Sequence, residues 1–284
     1  RRGGVVLKRH VSDFDGHGSA RGFQACYRLV EALEDLVPHL QRWLTGPTYD
    51  LEVHHDLILR AIPVVARRHR YAPVRDYLTG LRWDGRNRLD TWLSVYGGCE
   101  DHELTRRIGA WWMQQAAARG MKPGCKADYC LIIEGEQGLR KSTLLRTLVP
   151  REEWYTDGVQ SLQTRDDKLV MSGKWIIELA ELAPLGDRVD HLKAALTRQV
   201  DVVRPLYERH TGEFPRMSVF AGTTNQGQYL QDETGGRRFW PVKMVRSPDL
   251  TSLARDRDQL WAEAVDRERR GVQRWPERGD SVLA

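Results

Sequence analysis

The sequence predicts an α/β protein with a central parallel sheet flanked by helices, preceded by a mainly helical region. Three observations carry that prediction. Tyr129–Leu148, YCLIIEGEQGLRKSTLLRTL, runs from a short apolar stretch through a glycine turn into Lys-Ser-Thr and an apolar-periodic segment, the order strand, loop, helix. Two later apolar runs, Trp175–Leu179 and Ser218–Ala221, each follow a stretch long enough for a helix and a crossover, as buried parallel strands require. Before Pro123, apolar residues recur at three- and four-residue spacing, the helical period.

Taken in order, residues 1–22 are rich in Gly, His and Arg and read as a loop. Phe23–Leu44 carries helical spacing interrupted at Pro38, and Leu51–Arg68 repeats it with Pro63 inside. These give a poorly defined helical segment over residues 1–50 and a helical domain over 51–122. Adjacent His54 and His55 point to different faces and suit surface or capping positions. Tyr71–Trp92, YAPVRDYLTGLRWDGRNRLDTW, mixes aromatic, Arg and Asp residues around a Trp-Asp-Gly turn. Such residues stack on bases or, more simply, let Trp83 and Trp92 anchor a small helical core. A helix over Asp101–Arg119 presents Leu104, Ile108, Trp111, Trp112 and Ala116 on one apolar face, and the turn Pro123–Asp128 ends the helical part. The core then spans 123–246, and a charged amphipathic helix over Asp249–Arg270 with a short tail completes 247–284.

Composition bounds the function. The chain has 284 residues, 40% hydrophobic and 29% charged, enough for one large domain or two modest ones. No run approaches the roughly 18 apolar residues of a membrane span, and the start lacks the apolar core of a signal peptide. A cytoplasmic protein without a membrane partner is expected. The first residue is Arg1 rather than Met, as in a portion of a longer polypeptide. Net charge is +5, and only 8 of 44 basic residues are lysine. Arginine favours bidentate phosphate contact, which points to nucleic acid, with a well-solvated surface as the plain alternative. Cys26, Cys99, Cys125 and Cys130 are too scattered for a disulfide framework and lack paired zinc-ligand spacing, so reduced thiols are expected.

The loop predicts phosphate binding. Backbone N–H groups at a helix start converge on an anion, a lysine reaches the outer phosphates and a hydroxyl takes Mg²⁺. Gly135, Glu136, Gln137, Gly138, Leu139, Arg140, Lys141, Ser142 and Thr143 make up that loop, with Lys141 and Ser142 at the two side-chain positions. The pattern G-x-x-x-x-G-K-[ST] places glycine just before the lysine, and this chain has Arg140 there. Glycine lets the backbone approach phosphate with no Cβ in the way. Arg140 is therefore expected to turn outward and weaken binding, to offer its guanidinium to the phosphates, or to mark a core that no longer turns over.

Glu178, inside an apolar strand, and Glu181, three residues on, suit a carboxylate that holds Mg²⁺ and a second that polarises the attacking water. Solvated acids at a strand exit are the alternative. The 37 residues from Lys141 to Glu178 leave room for one helix and a crossover, which places the acid strand next to the loop strand. Asp190–Arg209 offers Lys193, Arg198, Arg204 and Arg209 on a helix followed by a polar loop, facing a nucleic-acid channel or solvent. Asn225 ends the next strand, placed to bridge water and γ-phosphate or to form a turn. In LQDETGGRRFWPV, Gly235 and Gly236 present Arg237 and Arg238 as an arginine finger or a salt-bridged turn.

The ordered set LIIEGEQGLRKST, WIIELAEL, VDVVRPLYER, FPRMSVFAGTTN and DETGGRRFWPV, preceded by VRDYLTGLRWDGRNRLDTWL and KPGCKADY, resembles the virulence-associated protein E family of phage and mobile-element proteins over about residues 71–245. Those proteins look like superfamily 3 helicases. The resemblance implies an AAA+-like P-loop NTPase core, an ATPase that moves or unwinds DNA, ATP and Mg²⁺ as cofactors, and single-stranded DNA as partner. It also implies a homo-oligomeric ring, hexameric by family expectation, with an arginine finger acting in trans. Position by position it makes Lys141 and Ser142 the nucleotide and Mg²⁺ contacts, with Glu178 sharing the metal. Glu178 and Glu181 take the second acidic motif's role, Asn225 the sensor's, and Arg237 or Arg238 the finger's. Weakened but retained nucleotide binding is expected. A catalytically weakened nucleic-acid-binding or regulatory protein is the alternative, and a small-molecule kinase a third class that the basic stretches do not suit.

Overall fold

The computed structural model describes residues 72–159, 162, 164–180, 188–203, 212–225 and 238–276, with pieces of 37–61. The chain divides into two units, Arg1–Ala72 with Val202–Phe214 and Pro73–Asp201 with Pro215–Ala284.

In the first unit, the described residues of 37–44 are helical. Residues 51–54 are not, against the expectation of a helix from Leu51. The His54 carbonyl accepts the N–H of Leu57 (3.0 Å) and Ile58 (3.3 Å), so the turn begins there, with Asp56 where the helix dipole favours an acid. Residues 23–36, 39, 55, 59 and 62–68 of the two expected helices lie outside the described residues.

The remaining elements, in chain order, are α1 (Pro73–Gly80), α2 (Trp92–Val95), α3 (Glu103–Met121), β1 (Cys130–Glu134), α4 (Lys141–Thr147), β2 (Tyr155–Thr156), α5 (Arg165–Met171), β3 (Ile176–Leu179), α6 (Arg188–Thr197), β4 (Val200–Val203), β5 (Gly212–Pro215), β6 (Val219–Thr224), β7 (Phe239–Lys243) and α7 (Leu250–Arg269). Among the described residues five strands form one sheet in the order β2-β3-β6-β1-β7, every pair parallel, and β4 pairs with β5 separately. Strands β3 and β6 are buried along their whole length, as a sheet covered on both faces requires.

One face of the sheet, through Cys130, Ile132, Ile177, Leu179, Phe220 and Phe239, packs with Met171 of α5 and Leu192, Ala195 and Leu196 of α6. On the other face tryptophans fix α3 and α7. Trp112 Nε1 donates to the Phe220 carbonyl and Trp175 Nε1 to that of Ala116, both at 2.8 Å. The rings of Trp175 and Trp261 lie 4.2 Å apart, and those of Trp111 and Trp240 5.6 Å apart.

Three expectations need correction. The acid strand β3 does not neighbour β1, because β6 lies between them; the crossover from α4 carries β2 and α5 and reaches the far side of the sheet. Helix α3 is buried almost all round rather than on one face. Polar residues of its second half are covered as well: Gln114 and Gln115 donate to the carbonyls of Val272 and Arg274, and Arg119 to that of Arg216. The stretch from Asp190 leaves the helix at Thr197 and continues as β4, where Val200, Val202 and Val203 favour a strand over the expected loop. Trp92 is wholly buried beside Trp112, while Trp83 is half-buried under the Arg270 guanidinium, so packing accounts for both.

Candidate active site

The strand order reverses around β1: the chain runs out to β2 at one edge, returns through β3 and β6, then places β7 on the other side of β1. A crevice opens beyond the carboxyl ends of strands at such a reversal, and the glycine loop 135–140 occupies it. Gly135 is required by crowding, since a Cβ there would meet the Met244 carbonyl at 2.8 Å. Gly138 is required by conformation, with φ at 88°. Arg140 is also left-handed, φ 62° and ψ 33°, a backbone that costs a residue with a Cβ about 1–2 kcal/mol. It thus keeps the conformation glycine would supply, with its side chain exposed. Glu136 and Gln137 are exposed, and Leu139 and Thr143 half-buried.

Parallel register decides which side chains meet. Tyr155 pairs with Ile176, so Glu178, two residues on, stands one step higher on the same face. Glu178 pairs with Ala221, so Thr223 stands one step higher again. Thr223 pairs with Ile133, two residues before Gly135. A diagonal of Tyr155, Glu178 and Thr223 therefore climbs across three strands to the loop.

Glu178 is wholly buried, and among the described residues three hydroxyls donate to it. Ser142 (2.7 Å) and Thr223 (2.6 Å) donate to Oε1, and Tyr155 donates to Oε2. Burial and the Glu178 carboxylate push the Tyr155 pKa up, so that hydroxyl keeps its proton. Lys141 Nζ spends its three protons on the carbonyls of Gly135 (2.7 Å) and Glu136 (2.8 Å) and on Asn225 Oδ1 (2.7 Å). Burial pulls its pKa down, with the charge of Glu178 opposing. The far end of α4 is clamped from α7, where Trp261 Nε1 donates to the Leu148 carbonyl (2.8 Å) and Arg257 to those of Thr147 and Val149.

Lys141, Ser142, Glu178 and Asn225 thus come together from three segments distant in sequence. Arg238 does not join them. It precedes Phe239, which pairs with Cys130, the first residue of β1, whereas Lys141 lies past the other end of that strand. At about 3.3 Å per residue, the length of β1 sets them roughly 15 Å or more apart. Glu181, Arg237, Arg204 and Arg209 lie outside the described residues. Sequence reasoning missed Thr223 and Tyr155. Thr223 stands two residues before Asn225 in the polar end of β6, whereas nothing local marks Tyr155.

The donor set at Ser142 and Glu178, a hydroxyl beside a carboxylate, is the hard-oxygen kind that suits Mg²⁺. Ser142 donates its proton to Glu178 and keeps oxygen lone pairs for a cation. Among the described residues no group of three His, Cys, Asp or Glu side chains gathers to hold a metal, and no helix is long and apolar enough to cross a membrane.

A family model described as the virulence-associated protein E-like domain matches residues 78–282. No curated protein matches the chain. Among solved structures, the apo structure of the NrS-1 C-terminal region is similar with a TM-score of 0.50 and 13% identity over 66% of this chain and 48% of that one. A second apo form of that region gives 0.48 and 15%. The chain spans about half the length of these structures, and at such identity the likeness is one of fold.

Proposed function

We propose a function from the premise that this chain belongs to the virulence-associated protein E-like domain family: it is a P-loop NTPase core that hydrolyses ATP and couples hydrolysis to moving or unwinding single-stranded DNA, in phage or mobile-element replication. The meeting of Lys141, Ser142, Glu178 and Asn225 at the carboxyl ends of β1, β3 and β6 carries this reading. Lys141 gives up the loop carbonyls and offers its ammonium to the outer phosphates. Ser142 keeps its proton and goes on donating it as a hydrogen bond to Glu178, and its lone pairs would hold Mg²⁺ together with that carboxylate. The chemistry Mg²⁺ supplies when bound is neutralisation of charge on the β- and γ-oxygens. Asn225, already beside Lys141, orients the attacking water, and Glu181 is the second acid. Because the sheet keeps Arg238 away from its own Lys141, the finger, Arg237 or Arg238, comes from a neighbouring subunit, which fits a hexameric ring.

One observation favours a second reading, a weakened nucleic-acid-binding or regulatory protein: Arg140 bears the strain of a left-handed backbone where glycine would not. ATP hydrolysis with and without single-stranded DNA, on wild type, Lys141→Ala and Arg140→Gly, separates the two. Stimulated hydrolysis that falls about 10²-fold or more in Lys141→Ala is expected. Hydrolysis found only in Arg140→Gly transfers the assignment to the second reading, and activity indifferent to Lys141→Ala overturns the site.

A further inference from the structure

We propose that Tyr155 is a positioning residue for Glu178, holding one carboxylate oxygen so that the other faces Ser142 and Mg²⁺; this rests on the nucleotide reading above. Ser142 and Thr223 both donate to Oε1, whereas Tyr155 donates to Oε2, so the tyrosine fixes the second oxygen and with it the plane of the carboxylate. The register explains why a tyrosine is needed. Tyr155 stands opposite Ile176 and Glu178 is a step higher, so the hydroxyl at the tip of the ring makes the contact and a phenylalanine ring stops short of it. The ring itself is held from the loop side. Arg146, one turn after Ser142 on α4, places its guanidinium 5.5 Å from the ring centroid and pairs with Glu152 at 3.1 Å, in the short helix that leads into β2. Loop helix, edge strand and carboxylate are thereby tied together around one hydroxyl. Without it Oε2 loses that donor and the plane of the carboxylate is free to turn about Oε1, which Ser142 and Thr223 still hold. The loss falls on the ordering of Mg²⁺, while the contact of Lys141 with phosphate stays intact.

Tyr155→Phe keeps the ring and its stacking and removes only the hydroxyl. ADP binding by calorimetry, with Mg²⁺ and with EDTA, and a Mg²⁺ titration of ATP hydrolysis test the assignment. Affinity in EDTA is expected within about twofold of wild type, while the gain from Mg²⁺ shrinks about tenfold and half-saturating Mg²⁺ rises about tenfold, the scale seen when the support of a metal ligand is lost. A residue that only packs against β3 would leave the Mg²⁺ requirement unchanged in the Phe variant. That result, or a Tyr155→Phe protein that unfolds, makes Tyr155 structural and overturns the assignment alone, provided wild type binds MgADP. Wild type that binds no MgADP overturns the nucleotide reading and this assignment with it.

Discussion

Glu178 on β3 and Glu263 on α7 are both shut off from solvent, at 0% exposure, and they are held by opposite kinds of donor. Glu263 Oε2 accepts the backbone N–H groups of Arg88 (2.7 Å) and Leu89 (2.9 Å), and Oε1 accepts from Arg267 (2.6 Å). Arg267 in turn grips both oxygens of Asp90. Amide and guanidinium donors point in fixed directions, and the guanidinium cancels the charge. The result fastens the Trp-Asp-Gly segment to α7 and leaves nothing to rearrange. Glu178 has three hydroxyls instead, groups that rotate about their C–O bonds and accept as well as donate. The donors around Glu263 lock a structure, and those around Glu178 can let go of one partner and take another. A buried carboxylate is therefore informative through its donors more than through its burial.

That contrast breaks most visibly at Glu178→Gln. Hydrolysis is expected to fall about 10²-fold or more, followed in single-turnover reactions, with an unfolding midpoint close to wild type. Near-normal turnover would place Glu178 with the structural carboxylates. Glu263→Ala should do the reverse: it leaves the Arg88 and Leu89 amides without their acceptor and Arg267 with Asp90 alone, and urea unfolding is expected to show a loss of about 2–4 kcal/mol. MgADP affinity of the folded fraction should not change, and a large change would show that α7 reports to the site through its clamp on α4. The smallest effect is expected at Arg140→Gly. Relief of about 1 kcal/mol of left-handed strain is offset in part by the entropy of a freed glycine, for a net gain of about 0.5 kcal/mol in the same unfolding experiment. A loss of stability there would mean the arginine makes a contact worth more than its strain.

The sheet and its flanking helices are legible in the sequence because each depends on local pattern: apolar runs of strand length, helical periods between them, and a glycine turn ahead of Lys141. So are the chain positions of Lys141, Ser142, Glu178 and Asn225, whose chemistry is proposed above. Strand order is not legible. Nothing near Glu178 says that β6 will come between it and β1, because adjacency in a sheet is settled by packing across segments far apart in sequence. Helix α3 misleads for a related reason. Gln114, Gln115 and Arg119 are not in the apolar set that the period marks, and the backbone at Arg216 and residues 272–274 covers them. Tyr155 is hidden most completely, since a strand of two residues has no period to read.

The diagonal from Tyr155 through Glu178 and Thr223 to Gly135 also sets an arithmetic for how such a chain can vary in length. Each step is one strand across and two residues along, so what matters is parity within the strand, not distance along the chain. One residue inserted in β3 ahead of Glu178 would swing the carboxylate into the apolar layer with Met171 and Leu192. The same insertion in the crossover before Trp175 would leave every step in place. Relatives are expected to differ freely in crossover length and to agree in the count from strand start to site residue, and a graft of this site into another sheet must carry the register of four strands along with the side chains.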